Sequence, residues 1–289
     1  MKRKVTIGIT QFASVITQEG NRAIAIQKIR TLASEGAEII CLQELFSSPY
    51  FCVEEDAKHF LLAEKIPSTF TNQLEILCEE LSIVLIVSLF EKRTTGIYHN
   101  TSIVIDTSKG IIGKYRKMHI PDDPGYSEKY YFTPGDLGFP VVDTTFGKIA
   151  VLICFDQWFP EAAREVSLKG AEIIFYPTAI GWNINDAIET QEEELAAWKT
   201  IQKSHAIANG VFVVAVNRIG IEVNTEFWGN SFVINPLGSE IYSAGLTEEE
   251  KVIAIDLEKI ADYRHVWTFF RDRRPEAYKG LNKQFNDDV

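Results

Sequence analysis

The sequence predicts a single α/β domain, and three observations lead there. Segments rich in Val, Ile and Phe alternate with stretches of helical periodicity from end to end. No Gly/Ser/Pro linker breaks the alternation, and no repeat of fixed period runs through it. The 289 residues are 46% hydrophobic and 24% charged, which is enough apolar material for one full-sized core.

In chain order, VTIGITQF reads as the first strand. It follows a basic MKRK, but the apolar stretch is short, alternates with Thr and Gln, and lacks a small-residue cleavage site, so it is not read as a leader. NRAIAIQKIRTLASEGA carries apolar residues at helical spacing and is closed by Gly36. EIICLQELF reads as the next strand, giving a β-α-β start. A loop through PYFCVEEDA leads to the helical NQLEILCEELS and the strand IVLIVSLFEK. TSIVID and GIIGKYRKM flank the turn-type run Thr107-Ser108-Lys109-Gly110 and predict a hairpin. HIPDDPGYSEKYYFTPGDLG is rich in Pro, Gly and Asp and must be mostly loop, and loops of that length in compact domains are commonly functional.

The second half repeats the alternation. KIAVLIC reads as a strand, PEAAREVSLKGA as a helix with Pro in its first turn, and EIIFYPTAI as a strand. ETQEEELAAWKTIQKSHAIANG is a long helix, acidic at its start and ended by Gly. VFVVAVNR, GNSFVINP and KVIAIDL are further strands. Near-continuous and alternating apolar runs both occur, which predicts a mixed sheet, or two packed sheets, with helices outside. The main domain is expected over residues 1–260. The aromatic, basic tail over 261–289 has too little core to stand alone, so it is expected to pack on the body or on a second subunit.

Bulk charge narrows the partners. A net charge of −11 argues against a nucleic-acid surface, which needs clustered Lys and Arg, and fits a small cationic ligand. No run approaches the ~20 apolar residues of a membrane span, so a soluble, cytoplasmic protein is expected. Cys41, Cys52, Cys78 and Cys154 form no CxxC pair, and the five histidines are scattered without ligand spacing. Neither a disulfide framework nor a metal is expected.

Three polar residues sit where a strand pattern stops: Glu44 after EIICLQ, Lys117 after GIIGKYR, and Cys154 after KIAVLI. Strand ends line the binding crevice of α/β sheets, so three strands can deliver a carboxylate, an ammonium and a thiol to one pocket. Taken singly, a strand-end Cys is more often packing, a Glu a satisfied carboxylate, and a Lys in KYRK a solvated cation. Together they make acyl-transfer chemistry without histidine. The carboxylate takes the thiol proton, while the ammonium and the Phe155 N–H receive a developing oxyanion.

LQELF around Glu44, GKYRKMHIP around Lys117 and ICFDQWFPE around Cys154 together resemble the nitrilase superfamily of carbon–nitrogen hydrolases, whose members use a Glu-Lys-Cys triad. ANGVFVVAVNR and WGNSFVINPLG are similar to the family's later strands, so the resemblance runs from Val5 to about Leu257. It implies a four-layer α-β-β-α sandwich, an oligomer that exchanges C-terminal tails, and no cofactor. It also implies Glu44 as general base, Lys117 as acid and oxyanion stabiliser, Cys154 as nucleophile, and Glu128 in YSEKYYFTPGD as a second glutamate orienting Lys117 and the attacking water.

Within the superfamily, the loop HIPDDPGYSEKYYFTPGD and the tail FFRDRRPEAY are similar to those of N-carbamoylputrescine amidases. The implied substrate is a cationic carbamoyl compound. Its ammonium calls for carboxylates or aromatic faces, and Asp122, Asp123, Tyr126, Trp182 and Glu189 are the candidates near the expected mouth. Two alternatives stand beside this. The same triad could act on N-carbamoyl-β-alanine, an N-carbamoyl amino acid or an ω-amide, whose anionic ends would call for an arginine such as Arg116, Arg164 or Arg218. The chain could also be a catalytically silent scaffold, although an intact triad has no purpose there. Cys52 is expected to pack beneath its loop.

Overall fold

The computed structural model describes residues 3–286. Its first half runs β1 (Lys4–Gln11), α1 (Gln18–Ser34), β2 (Ile39–Cys41), α2 (Thr69–Leu81), β3 (Val84–Thr94), β4 (Ile97–Asp106) and β5 (Gly110–Arg116). A single helical turn, α3 (Glu128–Tyr131), interrupts the long loop. There follow β6 (Val141–Thr144), β7 (Gly147–Val151), α4 (Pro160–Leu168), β8 (Ile173–Pro177), β9 (Gly181–Asn183), α5 (Ile188–Asn209) and β10 (Phe212–Val216). Then come β11 (Ile219–Glu222), β12 (Thr225–Trp228), β13 (Phe232–Ile234), β14 (Glu240–Ser243), β15 (Glu249–Asp256) and α6 (Glu258–Val266).

The strands form two six-stranded sheets, ordered β15-β1-β2-β3-β4-β5 and β14-β13-β10-β8-β7-β6, plus a small sheet β11-β12-β9. Period-two alternation explains how the layers stack. On β3, Val84 and Ile86 join Ile7, Ile149, Phe175 and Val214 in a core between the two large sheets. Leu85 and Val87 face the other way, onto Ile29 and Leu32 of α1 and Leu74 and Cys78 of α2. On the second sheet, Ala150, Ile174 and Val213 face outward onto Ala163 and Val166 of α4 and Trp198 and Ala206 of α5. The four-layer α-β-β-α sandwich follows, because a strand buried on both faces needs a sheet on one side and helices on the other.

The helix ends follow their sequence signals. Thr17 caps α1, Ser68 and Thr71 form a reciprocal capping box on α2, and Gly210 closes α5 in the left-handed conformation. Two strand readings are corrected. EIICLQELF leaves the sheet at Cys41, where the chain turns with Leu45 at φ 47 and Glu44 N–H donates across to Thr178 O at 3.3 Å in the other sheet's layer. KIAVLIC leaves it at Val151, and Cys154 opens a tight turn.

The tail packs on the body. Arg264 Nη2 donates to Asn209 O at 3.1 Å, and its guanidinium lies 4.6 Å from the centre of the Phe270 ring. Val266, Trp267 and Leu281 stay exposed. Residues 287–289 of the expected tail lie outside the described residues. Among the described residues no helix is long and apolar enough to cross a membrane.

Candidate active site

Each reactive group is delivered by an element that ends, or breaks, at it. Lys117 follows β5 directly, and its backbone stays in register, N–H donating to Asn100 O on β4 at 2.8 Å. On its other side, Gly135 N–H donates to Lys117 O at 2.8 Å. A side chain at Gly135 would put Cβ 2.0 Å from Arg116 O, so only glycine lets the two backbones approach. Cys154 stands at φ 41 on the turn after β7, with its thiol 3.7 Å from Ala179 O.

The side chains meet in a site with almost no solvent. Lys117 Nζ donates to Glu44 Oε1 at 2.9 Å and to both oxygens of Glu128, at 2.8 and 2.7 Å. Lys117 and Glu44 are 0% exposed and Glu128 1%. Burial alone would lower the lysine, but the Glu128 and Glu44 carboxylates more than offset it and hold it well above its ordinary value, as an ammonium. Burial pushes Glu128 up to about 7, against the pull of Lys117. Burial, with Glu44 adding to it, also raises the Cys154 thiol, while Lys117 pulls it down. The resting sulfur is therefore a thiol that needs a proton acceptor.

Glu44 is held through one of its two carboxylate oxygens. Its Oε1 receives Lys117 and also Asn100 Nδ2, at 2.7 Å, and Asn100 is held in turn by the Ser88 hydroxyl at 2.9 Å. Oε2 is buried and has no partner among the described residues. Beneath it, fully buried Arg218 donates to the carbonyls of Glu44, Leu45 and Ser48 and pairs with Glu222 at 2.8 Å, fixing the turn. Tyr50 donates its hydroxyl to Glu128 Oε1 at 2.7 Å. Asn100, Tyr50 and Arg218 carried no recognisable signal for these roles, because the groups they hold lie 56, 78 and 174 residues away in sequence.

Cys154 opens into a cavity of about 480 Å³. Phe155, Tyr126, Trp182 and Asp123 line it, together with Glu128, Trp158 and Trp228. Asp122 and Glu189 do not. Asp122 is exposed with its nearest cation, Lys129, at 3.9 Å, and Glu189 is exposed in the first turn of α5. Asp186 and Glu194, which the sequence did not single out, line the cavity instead, and desolvation raises the Glu194 carboxyl. Glu194 was hidden in the run EEE, where only the helix's packing decides which carboxylate faces inward.

The lining contains four carboxylates and no Lys, Arg or His. The three arginines that could have served an anion are occupied elsewhere. Arg116 pairs with Glu91 and Asp136, Arg164 lies over Phe270, and Arg218 holds the Glu44 turn. All four cysteines are free, and Cys52 packs in a buried cluster with Leu45, Phe51 and Phe90. Among the described residues, only Glu54, Asp56 and His59 come close enough to share an ion, and Lys58 Nζ already bridges both carboxylates.

A thiol, a buried carboxylate with one free oxygen and a captive ammonium can together open an amide-type carbon–nitrogen bond. A family model described as carbon–nitrogen hydrolase matches residues 6–265. The chain belongs to the carbon–nitrogen hydrolase family. An N-carbamoylputrescine amidase of Solanum lycopersicum is 44% identical to this carbon–nitrogen hydrolase over 290 residues, 96% of this chain and 95% of that one. A citrullinase of Francisella tularensis is 38% identical, covering 97% of this chain and 99% of its own. The solved carbon–nitrogen hydrolase of Helicobacter pylori G27 superposes with a TM-score of 0.95 at 41% identity, over 98% of this chain and all of the other.

Proposed function

We propose that this hydrolase cleaves N-carbamoylputrescine to putrescine, carbon dioxide and ammonia, with Cys154 as nucleophile, Glu44 as general base, and Lys117 and Glu128 completing the site. The observation that carries the substrate is the cavity wall. Asp123, Asp186 and Glu194 stand with aromatic faces and no basic side chain around the space beyond the thiol, which suits an ammonium and repels a carboxylate. The 44% identical relative is named for that substrate.

In the reaction, Glu44 Oε2 takes the Cys154 proton and the sulfur bonds to the carbamoyl carbon. Its oxygen becomes an oxyanion received by Lys117 Nζ and the Phe155 N–H. The carbon–nitrogen bond breaks as Glu44 returns the proton to the departing nitrogen, leaving a carbamoyl thioester. Water then loses a proton to Glu44 and adds to the same carbon, and sulfur leaves as the thiol. Carbamate breakdown completes the balance: one carbamoyl compound and one water give amine, ammonia and carbon dioxide.

This reading includes a cytoplasmic homo-oligomer, whose interface would take up the exposed Val266, Trp267 and Leu281 of the tail. Ammonia release from N-carbamoylputrescine and from N-carbamoyl-β-alanine, side by side at equal concentration, tests the substrate. Strong preference for the cation is expected, and preference for the anion overturns it. Cys154→Ala is expected to abolish release. Retained turnover in that variant, or silence of the wild type on both compounds, would remove the catalytic reading.

A further inference from the structure

Asp156 lies buried two residues beyond the candidate nucleophile, and its carboxylate accepts four hydrogen bonds. Oδ2 receives the Ile153 N–H and the Tyr115 hydroxyl, both at 2.8 Å. Oδ1 receives the His119 backbone N–H at 3.1 Å and its ring Nδ1 at 2.8 Å. The Tyr115 hydroxyl accepts the Met118 N–H at 3.1 Å as well.

These partners bracket the reactive groups. Ile153 directly precedes Cys154, while Met118 and His119 directly follow Lys117. The two stretches come from different sheets, so Asp156 is a tie between the lysine side and the cysteine side. A second brace lies alongside, where the His119 ring stacks on Phe159 at the far end of the cysteine turn, 3.6 Å between centroids and 6° from parallel. A local cap on the turn would need the Ile153 contact alone. The left-handed backbone at Cys154, φ 41, is a conformation that surroundings must impose on a residue with a side chain.

We propose that Asp156 is a positioning residue that fixes the separation of the Lys117 ammonium and the Cys154 sulfur by gripping the chain beside each. The inference rests on the roles proposed for those two residues. Asp156→Asn places an amide where four donors converge, so whichever way it turns, two of them lose an acceptor. The expected result is a fall in kcat of about a hundredfold with KM changed less than about threefold, as for a misplacement of order one ångström away from the substrate contacts.

Tyr115→Phe removes one strand of the tie. Alone it is expected to lower kcat by about tenfold, and in the Asp156→Asn background to add almost nothing, because both changes break one connection. A merely structural aspartate would give losses that multiply. Multiplying losses, or a kcat for Asp156→Asn within about threefold of wild type, overturns the proposal. Should Asp156→Asn not fold, Tyr115→Phe decides: a lower kcat at constant KM supports the tie, and an unchanged kcat overturns it. Cys154→Ala run in parallel separates the two levels. An inactive Cys154→Ala beside a fully active Asp156→Asn removes only this inference, whereas an active Cys154→Ala removes the catalytic reading itself.

Discussion

Glu128 gives both of its oxygens to Lys117 and one of them also to Tyr50, in a buried site. Such a carboxylate holds the ammonium only while ionised. Because burial lifts it from 4.5 to about 7, the grip loosens as pH falls through that value. Carbon–nitrogen hydrolysis is therefore expected to decline on the acid side of about 7, a limb that belongs to the coupled Glu128 and Lys117 rather than to one residue. Glu128→Gln should lower kcat about a hundredfold and flatten that limb, read from kcat/KM profiles over roughly pH 5 to 9. A variant that kept the same limb would take the titration away from Glu128. Glu44, Lys117 and Cys154 were singled out in the sequence because each follows a strand pattern, and it was the flanking motifs of the family resemblance that joined them into one site. Tyr50 and Asn100 were not, since their partners lie 78 and 56 residues away and nothing local points to them.

The strands β3, β4 and β5 carry a second buried charge group, just before Lys117. Glu91 on β3 receives Arg116 Nε at 2.8 Å and Nη2 at 2.9 Å from β5, and the Thr101 hydroxyl at 2.6 Å from β4. Burial would raise this carboxyl, but Arg116, Thr101 and Lys114 outweigh it and hold it at about 2 against an ordinary 4.5. The sign follows: a depressed carboxyl stabilises the fold above about 4.5 and loses that contribution as pH falls towards 2. Glu91→Gln is expected to cost about 3 kcal/mol near neutrality, by leaving the buried Arg116 charge with Asp136 alone. Urea unfolding at a series of pH values should show the gap to wild type closing across that window, and a gap that stayed constant would assign the loss to packing instead. The long elements here were readable from period. β9, β11, β12 and β14 were not, because three or four residues are too few to display alternation.

Across the whole molecule, the two large sheets divide the site: the first leads into Glu44 and Lys117 and the second into Cys154, while α5, packed on the second sheet, and β9 of the small sheet line the cavity. The alternation of elements predicted two packed layers of sheet, and the family resemblance predicted the sandwich. Which acidic residues face the cavity depended on how α5 docks, and no periodicity encodes that. The cavity's three carboxylates outside the Lys117 cluster, Asp123, Asp186 and Glu194, have a consequence for the end of the cycle. On the proposed reading the substrate brings one positive charge, but hydrolysis frees a second amine, so the diamine that must leave is a dication. The wall that recruits the substrate holds the product harder, so the product is expected to compete with the substrate for the site. Added putrescine should inhibit competitively, more strongly at low ionic strength and less in Glu194→Gln. Inhibition indifferent to both salt and that substitution would place the exit step elsewhere. An enzyme that works in this way is expected to throttle itself on its own output, the diamine already made slowing the making of more.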